Sequence, residues 1–510
     1  MTARIFAFVF FTLLLFTSRE PPWADSHVTY DTTENLVEHF RLDVGISSGP
    51  PWFYSLHEGR RYGVFPLGNV FGMVPSYVAY RALKGTSFLP DRPLYAFCAH
   101  LAPALWMAGA MALLFTLLRR RGATPGWAAM GVVLTLFGTF AFIYGRSPYS
   151  EALQTILLVW VVERTLTAGE RPTVATLGWL GFASGLLVNA KLVYVLALPA
   201  VVAYLVVVHR REGRLGAVLA RSLLGVVAFA ELVAVALWHN RLKTGSWWDS
   251  GYRIPDGIFS GDLLGGLHGF FLSSGKSILL YAPITLLGIL GAATALRRRR
   301  TETLFLGAIV VVVMLFNAKF RHWHADYCWG PRHLTAILPL VTLLAFPWLP
   351  EALARGRRRL RRVALAALLG GGLVANGLGA SLYWDHYIRV LIAVKDQAGA
   401  AGWYREHLSH GHYIPSFSPL VGHAWMLRHL VARDPALDRD APWKDLVAAP
   451  VDLSDAWSRL RPDWWLLDWV EKDLVAGLVL LGLLVGGAAA GAVSVRRGTR
   501  AAAAPIRRAA

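Results

Sequence analysis

The chain has 510 residues, 55% of them hydrophobic and only 16% charged, with a mean hydropathy of +0.44; a soluble domain carries about a quarter charged residues. This excludes an ordinary soluble protein and implies a polytopic membrane protein. The formal charge of +19 would point to nucleic acid in a soluble domain, but here the arginines fall in short clusters between apolar runs, as cytoplasmic loops do, so no nucleic-acid partner is expected.

The chain opens on MTAR and an apolar run, residues 5–15, built like a signal peptide but with no small-x-small cleavage site behind it. It reads as a retained first span with a cytoplasmic N-terminus. Residues 22–40, PWADSHVTYDTTENLVEHF, place Asp25, Tyr30 and Asp31 where the chain should leave the bilayer. Residues 64–83 are apolar enough for a span, but counting them as one would put Arg119–Arg121 outside, and Pro66, Gly68, Gly72 and Pro75 interrupt them. A juxtamembrane or re-entrant element within a first outer loop, 18–93, is expected instead.

Further apolar runs lie at 94–118, 126–144, 150–166, 174–189, 192–208, 222–238, 277–296, 303–317, 333–349, 363–383 and 474–495. With the first, these make about twelve transmembrane helices; barrel strands would alternate polar and apolar residues. Arginine clusters at 119–121, 164 with 171, 210–214, 297–300, 355–362 and from 496 onward occupy every second connection and belong in the cytoplasm. The connections 18–93, 145–149, a tight turn at Lys191, 239–276, 319–332 and 384–473 then face outward. The expected fold is an all-α polytopic membrane protein in a bacterial inner membrane, with both termini cytoplasmic. Its expected regions are a transmembrane catalytic part, 1–383, an outer periplasmic segment, 384–473, forming a small subdomain, and a last helix with a basic tail, 474–510. The Ala/Arg-rich end, 500–510, is expected to be disordered. Cys98 and Cys328 read as isolated thiols, and Gly371 and Gly372 as permitting close helix packing.

Polar residues gather at the outer helix ends: Asp25, Asp31, Arg146, Glu151, Lys191, Asp249, Tyr252, Arg253, Lys276, Arg321, His322, His324, Asp326, Arg332 and His333. Taken singly, each is an interfacial anchor as readily as a site residue. As a set they hold what a group transfer from a lipid phosphate needs: a carboxylate to accept the proton of an incoming hydroxyl and cations to hold the departing phosphate. His322, His324, Asp326 and Cys328 alternate at period two, but without a ligand pair at helical spacing an interfacial loop is expected there; a divalent metal is not favoured and no cofactor is called. His407, His410, His412 and His423 read as loop residues.

Three stretches resemble a known family. They are Ala24-Asp25-Ser26 with Tyr30 and 32–36, followed by 58–63; Arg146-Ser147-Pro148-Tyr149-Ser150-Glu151; and Gly251-Tyr252 with the Gly275-Lys276 helix entrance, Trp329–Leu334 and Ser418–His423. In this order they resemble the GT-C superfamily of polyprenyl-phosphate-sugar-dependent glycosyltransferases, in the bacterial branch of protein O-mannosyltransferases and aminoarabinose lipid A transferases. The resemblance implies inverting transfer of a hexosyl or pentosyl group at the outer membrane face, from a polyprenyl-phosphate donor to a lipid, glycan or protein acceptor. It implies Asp25 as general base, with Asp31 as the offset candidate. Arg332, Lys276 and Arg321 would hold the lipid phosphate, while Tyr30 and His333 would complete the substrate site. Arg146 and Glu151 would orient sugar hydroxyls or simply form a helix-start salt bridge. Where the family often has a second acid after the first aspartate, this chain has Ser26, which implies a single-carboxylate, metal-independent site. The competing readings are a polymerase or ligase of lipid-linked glycans, and a transporter or flippase, which would show internal repeats and mid-helix charges.

Overall fold

Each of the twelve apolar runs lies on helix in the computed structural model, which describes residues 1–45, 51–86, 89–252, 257, 259–325, 328–349, 358–398, 412–432, 439–447 and 451–503. Arg253, Asp326, Arg355–Arg357, His407, His410 and the end of the tail, 504–510, lie outside the described residues. Six helices are long and apolar enough to cross a membrane: Asp91–Arg120, Leu192–Arg211, Leu223–Thr244, Arg300–Lys319, Val363–Ser381 and Leu474–Arg500. Shorter apolar helices occupy Thr2–Leu15, Pro125–Phe137, Val174–Ala190, Leu263–Leu272 and Arg332–Trp348. Leu263–Leu272 falls in a stretch expected to be an outer connection; Asp262 caps it by accepting from the Leu264 and Gly265 amides, at 3.1 and 2.8 Å. The run 277–296 is broken in two, Ile278–Tyr281 and Thr285–Arg298, with Pro283 between them.

The elements that position the site are α1 (Thr2–Leu15), α2 (Asp25–His39), β1 (Tyr54–His57), β2 (Arg60–Gly63), α3 (Leu67–Leu83), α4 (Asp91–Ala99), α5 (Leu101–Arg120), α6 (Pro125–Phe137), α7 (Ala141–Gly145), α8 (Glu151–Glu170) and α9 (Val174–Ala190). By pattern α2 is only a polar stretch. Its threonines are poor helix formers, and Thr29, Thr32 and Thr33 donate to the carbonyls of Asp25, Val28 and Thr29, at 2.8–2.9 Å; packing on α3, to which Thr33 also donates at the Val70 carbonyl, 3.0 Å away, holds the stretch as helix. It ends where Phe40 turns left-handed, at φ 52°. The antiparallel pair β1–β2 closes through Glu58-Gly59, both at positive φ, as a two-residue hairpin turn requires. Within residues 64–83, expected as a juxtamembrane or re-entrant element, Leu67–Leu83 form α3, a 17-residue helix with Pro75 inside it. It packs on α2, α4, α5 and α9. A Cβ on Gly68 would lie 2.6 Å from the Asn189 carbonyl, so only glycine lets α3 meet the end of α9.

The basic connections converge on one end of the helices. Arg121 pairs with Glu302 at 2.8 Å, Arg120 with Glu163 at 3.1 Å and Glu170 at 2.9 Å, and Arg211 donates to Thr301 at 3.4 Å. Glu151 opens the same helix α8 that carries Glu163. Twelve residues separate them, about 18 Å of helix, so Glu151 lies at the far end from the arginines. The first and last helices are neighbours. A Cβ on Gly487 would stand 2.6 Å from the Phe11 ring and one on Gly491 2.7 Å from the Phe8 backbone, so the glycines let α1 lie close to Leu474–Ala503. Gly372 does likewise against the Gly138 carbonyl, 2.4 Å from its built Cβ. A separate apolar cluster includes Leu382, Tyr387, Leu391, Phe417, Trp425 and Trp443, all but the first within residues 384–473.

Candidate active site

Asp25 is the first residue of α2, where a carboxylate complements the unpaired amides of the helix start. The turn before it is latched by Ser26, whose hydroxyl donates to the Trp23 carbonyl at 2.7 Å and accepts from the Trp23 amide at 2.9 Å. Ala24, between them, sits at φ 54°, ψ −126°, a strained backbone for a residue with a Cβ. Ser26 therefore holds the turn from which Asp25 projects.

Across from it, Arg332 donates from Nη2 to Asp25 Oδ2 at 2.5 Å and from Nε to Glu151 Oε1 at 2.6 Å. Its guanidinium lies over the Tyr149 ring, 4.2 Å from the centroid. The side chains of Arg332, Asp25 and Glu151 are 13%, 25% and 3% exposed. Glu151 Oε2 is buried with no hydrogen-bond partner among the described residues, leaving one carboxylate oxygen to accept from a ligand. The fourth charge is Lys191, whose Nζ donates to His333 Nδ1 at 3.3 Å. Burial lowers the Lys191 pKa to about 8, against the opposing pull of Glu151.

Lys191 and Arg332 reach this point in the same way. Each stands at the start of a six-residue 3₁₀ segment, Leu192–Ala197 or Arg332–Ile337, followed by a helix opening Leu-Pro, Leu198-Pro199 or Leu338-Pro339. Proline has no amide hydrogen to bond the carbonyl four residues back, which favours the tighter winding before it. A 3₁₀ turn rises about 0.5 Å more per residue than an α-helix, so each cation is carried roughly 3 Å further from its helix body. A narrow crevice opens beside the cluster, lined by Asp25, Ser26, Thr29, Asn69, Tyr149 and Ser150 among others.

Of the residues singled out from sequence, Asp25, Glu151, Lys191, Arg332 and His333 meet here. Asp31 lies six residues along α2, about 120° round it from Asp25, and pairs with His27 at 3.4 Å. Burial raises its pKa to about 6, His27 opposing and Glu34 adding to the rise. Tyr30 is buried against the edges of Tyr77 and Tyr95, with centroids at 5.9 and 5.2 Å. Arg146 is a tie: it pairs with Asp463 at 3.0 Å and donates to the Ala380, Asp463 and Phe16 carbonyls. Asp463 also accepts from the Ser18 hydroxyl at 2.6 Å and the Arg19 amide at 3.1 Å. Lys276 is fully buried and donates to the Cys328 carbonyl at 2.5 Å and the Gly330 carbonyl at 3.1 Å, fastening the loop that leads into Arg332. Arg321 lies half-buried in the turn after Arg300–Lys319.

The quoted motifs also converge. Gly275 donates its amide to the His412 carbonyl at 2.8 Å, the Ser418 hydroxyl donates to Ser274 at 2.7 Å, and the His423 ring lies 4.7 Å from Trp329. His423 is therefore no loop residue. Pro419 starts a helix, Pro419–Ala432, and His423 is buried in it. Both cysteines are free and buried. No group of three or more His, Cys, Asp or Glu is placed to hold a metal among the described residues. Sequence reasoning counted Lys191 among the outer polar residues and quoted Tyr149 within a motif, but gave neither a role; the polar-then-proline spacing before Glu151 and the lone lysine between two apolar runs were the available signals.

Three solved structures are similar to it. They are ArnT from Cupriavidus metallidurans bound to undecaprenyl phosphate (16% identity, 95% of this chain and 77% of that one, TM-score 0.47), ArnT from the same organism in the apo state (18%, 84% and 78%, 0.48), and the archaeal oligosaccharyltransferase AglB from Archaeoglobus fulgidus in complex with an inhibitory peptide and a dolichol-phosphate (12%, 88% and 61%, 0.40). No protein-family model matches the chain, and no curated protein does.

Proposed function

We propose that this chain is a membrane glycosyltransferase that moves a sugar from a polyprenyl-phosphate donor to an acceptor hydroxyl at the outer face of the membrane. The observation that carries the reading is the sharing of one guanidinium, Arg332, between Asp25 and Glu151 at the helix ends remote from the arginine clusters. A donor phosphate competes with both carboxylates for Arg332 and takes Lys191 as a second cation. Asp25, released from its ion pair, accepts the proton of the acceptor hydroxyl as that oxygen bonds to the anomeric carbon. The bond from that carbon to phosphate oxygen breaks on the opposite side, giving inversion, and the polyprenyl phosphate leaves with its charge held by Arg332 and Lys191. The free Glu151 oxygen accepts from a sugar hydroxyl. His333 supports Lys191, while Arg146, Lys276 and Tyr30 hold the loops that carry these groups; Asp31 and Arg321 stay outside the chemistry.

The test is Asp25→Asn beside Asp31→Asn in purified, folded protein, assayed for sugar release from polyprenyl-phosphate donors. Asp25→Asn is expected to lose activity by about 100-fold or more, the usual share of a general base, and Asp31→Asn to keep it. Full activity in Asp25→Asn would sink the mechanism, and loss in Asp31→Asn alone would move the base.

A further inference from the structure

Away from the crevice, two cavities share their walls. One is an apolar groove of about 610 Å³, lined by Leu94, Phe97 and Leu101 on one side and Ala476, Val479 and Leu483 on the other. The second is a polar pocket of about 330 Å³, lined by Arg19, Glu20, Arg92, Arg461, Glu471 and Lys472 among others. Helix α4 supplies Arg92 and Ala96 to the pocket and Leu94 and Phe97 to the groove; helix Leu466–Lys472 supplies Asp468 and Lys472 to the pocket and Trp469 to the groove.

The boundary between them falls at a definable depth. Asp473 accepts from the Ala476 amide at 2.9 Å, capping the start of the final apolar span. Along this last part of the chain Asp468, Glu471 and Lys472 line the pocket, while Val475, Ala476, Val479 and Leu483, joined by Trp469, line the groove, so the polar-to-apolar change falls where the final apolar helix begins.

The charges in the pocket are not all neutralised. Arg19 pairs with Asp468, and Arg461 with Glu471 at 3.5 Å. Arg92 and Lys472 have no ion-pair partner among the described residues, and Glu20, the remaining acid, is shifted toward its neutral form by burial and by Asp463. The pocket thus keeps a positive surplus above an apolar slot. That combination recognises a phosphodiester headgroup carrying an acyl chain, and neither half alone would retain it.

We propose that this paired cavity binds one glycerophospholipid of the surrounding bilayer, its phosphate between Arg92 and Lys472 and an acyl chain between α4 and the last span. It is separate from the crevice, because the opposite side of α4 carries Tyr95, packed on Tyr30 of α2. The lipid there braces the helix that backs α2 and takes no part in transfer.

The test uses full-length protein stripped of lipid in detergent and titrated with palmitoyl-oleoyl phosphatidylethanolamine or phosphatidylglycerol, with bound lipid counted by native mass spectrometry. One equivalent of at least one of these is expected to bind. Arg92→Gln/Lys472→Gln is expected to weaken it at least 10-fold, and so, independently, is Ala476→Trp, which fills the slot without touching the charges. Glycerophosphoethanolamine, the headgroup without chains, is expected not to bind. The proposal is overturned if neither lipid binds, if both variants bind as the wild type does, or if the chainless headgroup binds equally well.

Discussion

Replacing Arg332 by glutamine tests the geometry of the crevice without any assumption about substrate. The guanidinium is the partner of two carboxylates, of which Glu151 is 3% exposed and Asp25 25% exposed. Asp25 can turn partly to water, whereas Glu151 cannot, so most of the cost falls on Glu151. Removing one partner of a buried ion pair costs about 3–5 kcal/mol because a charge is left uncompensated. Glu151→Gln alone leaves Arg332 with Asp25 and costs only the lost charged hydrogen bond, about 1.5–3 kcal/mol. In Arg332→Gln/Glu151→Gln no buried carboxylate is stranded, so the double variant should be no less stable than Arg332→Gln, and the singles should fail to add by about 2 kcal/mol or more. Equilibrium unfolding in mixed micelles, followed by tryptophan fluorescence, measures all four corners. Strict additivity, or an Arg332→Gln protein within about 0.5 kcal/mol of wild type, would refute the shared ion pair.

Other outcomes follow from the same structure. Asp31, with its pKa raised to about 6 by burial, binds a proton more tightly folded than unfolded; wild-type stability relative to Asp31→Asn should therefore be greatest below about pH 4 and decline through pH 6, by up to roughly 3 kcal/mol. A flat difference across pH 4–7 in unfolding titrations would contradict this. If Lys191 must be charged to hold phosphate, activity should fall as pH rises through about 8, and Lys191→Arg should move that limb upward. Asp463→Ala strands buried Arg146 and should cost about 3–5 kcal/mol, read as faster proteolysis between residues 384 and 473. Gly68→Ala forces α3 away from Asn189; the expected loss is about 1–3 kcal/mol, with a matching drop in sugar transfer.

Helix positions were legible because their signal is local: unbroken apolar runs can satisfy their backbone in hydrocarbon only as helix. The ends were less so. Nothing in composition marks Leu192–Ala197 or Arg332–Ile337 as 3₁₀, although the Leu-Pro step after each is visible in the chain. Asp25 and Arg332 were recognisable from their motifs, but their contact joins positions 307 residues apart, and no periodicity encodes such a distance. Arg146 and Lys276 show the limit from the other side. Both looked like ligand cations, yet each is surrounded by carbonyls that only the folded loops supply. Helix α2 was hidden because threonine and aspartate disfavour helices, and tertiary support overrides that preference.

The carbonyl of Leu15, at the end of α1, accepts from two indoles, Trp464 at 2.7 Å and Trp465 at 3.0 Å, beside the Asp463 contacts to Ser18 and Arg19. This clasp sits ten residues before Asp25, yet its other half leaves the ribosome about 450 residues later. At ordinary synthesis rates of 5–20 residues per second, that is a wait of roughly 20–90 s. The turn that leads into Asp25 is thus among the first parts of the chain to be made and among the last to be locked in place. A chain that stops short of residue 463 would lack every one of these contacts, so a truncation at one end loosens the segment before Asp25 at the other.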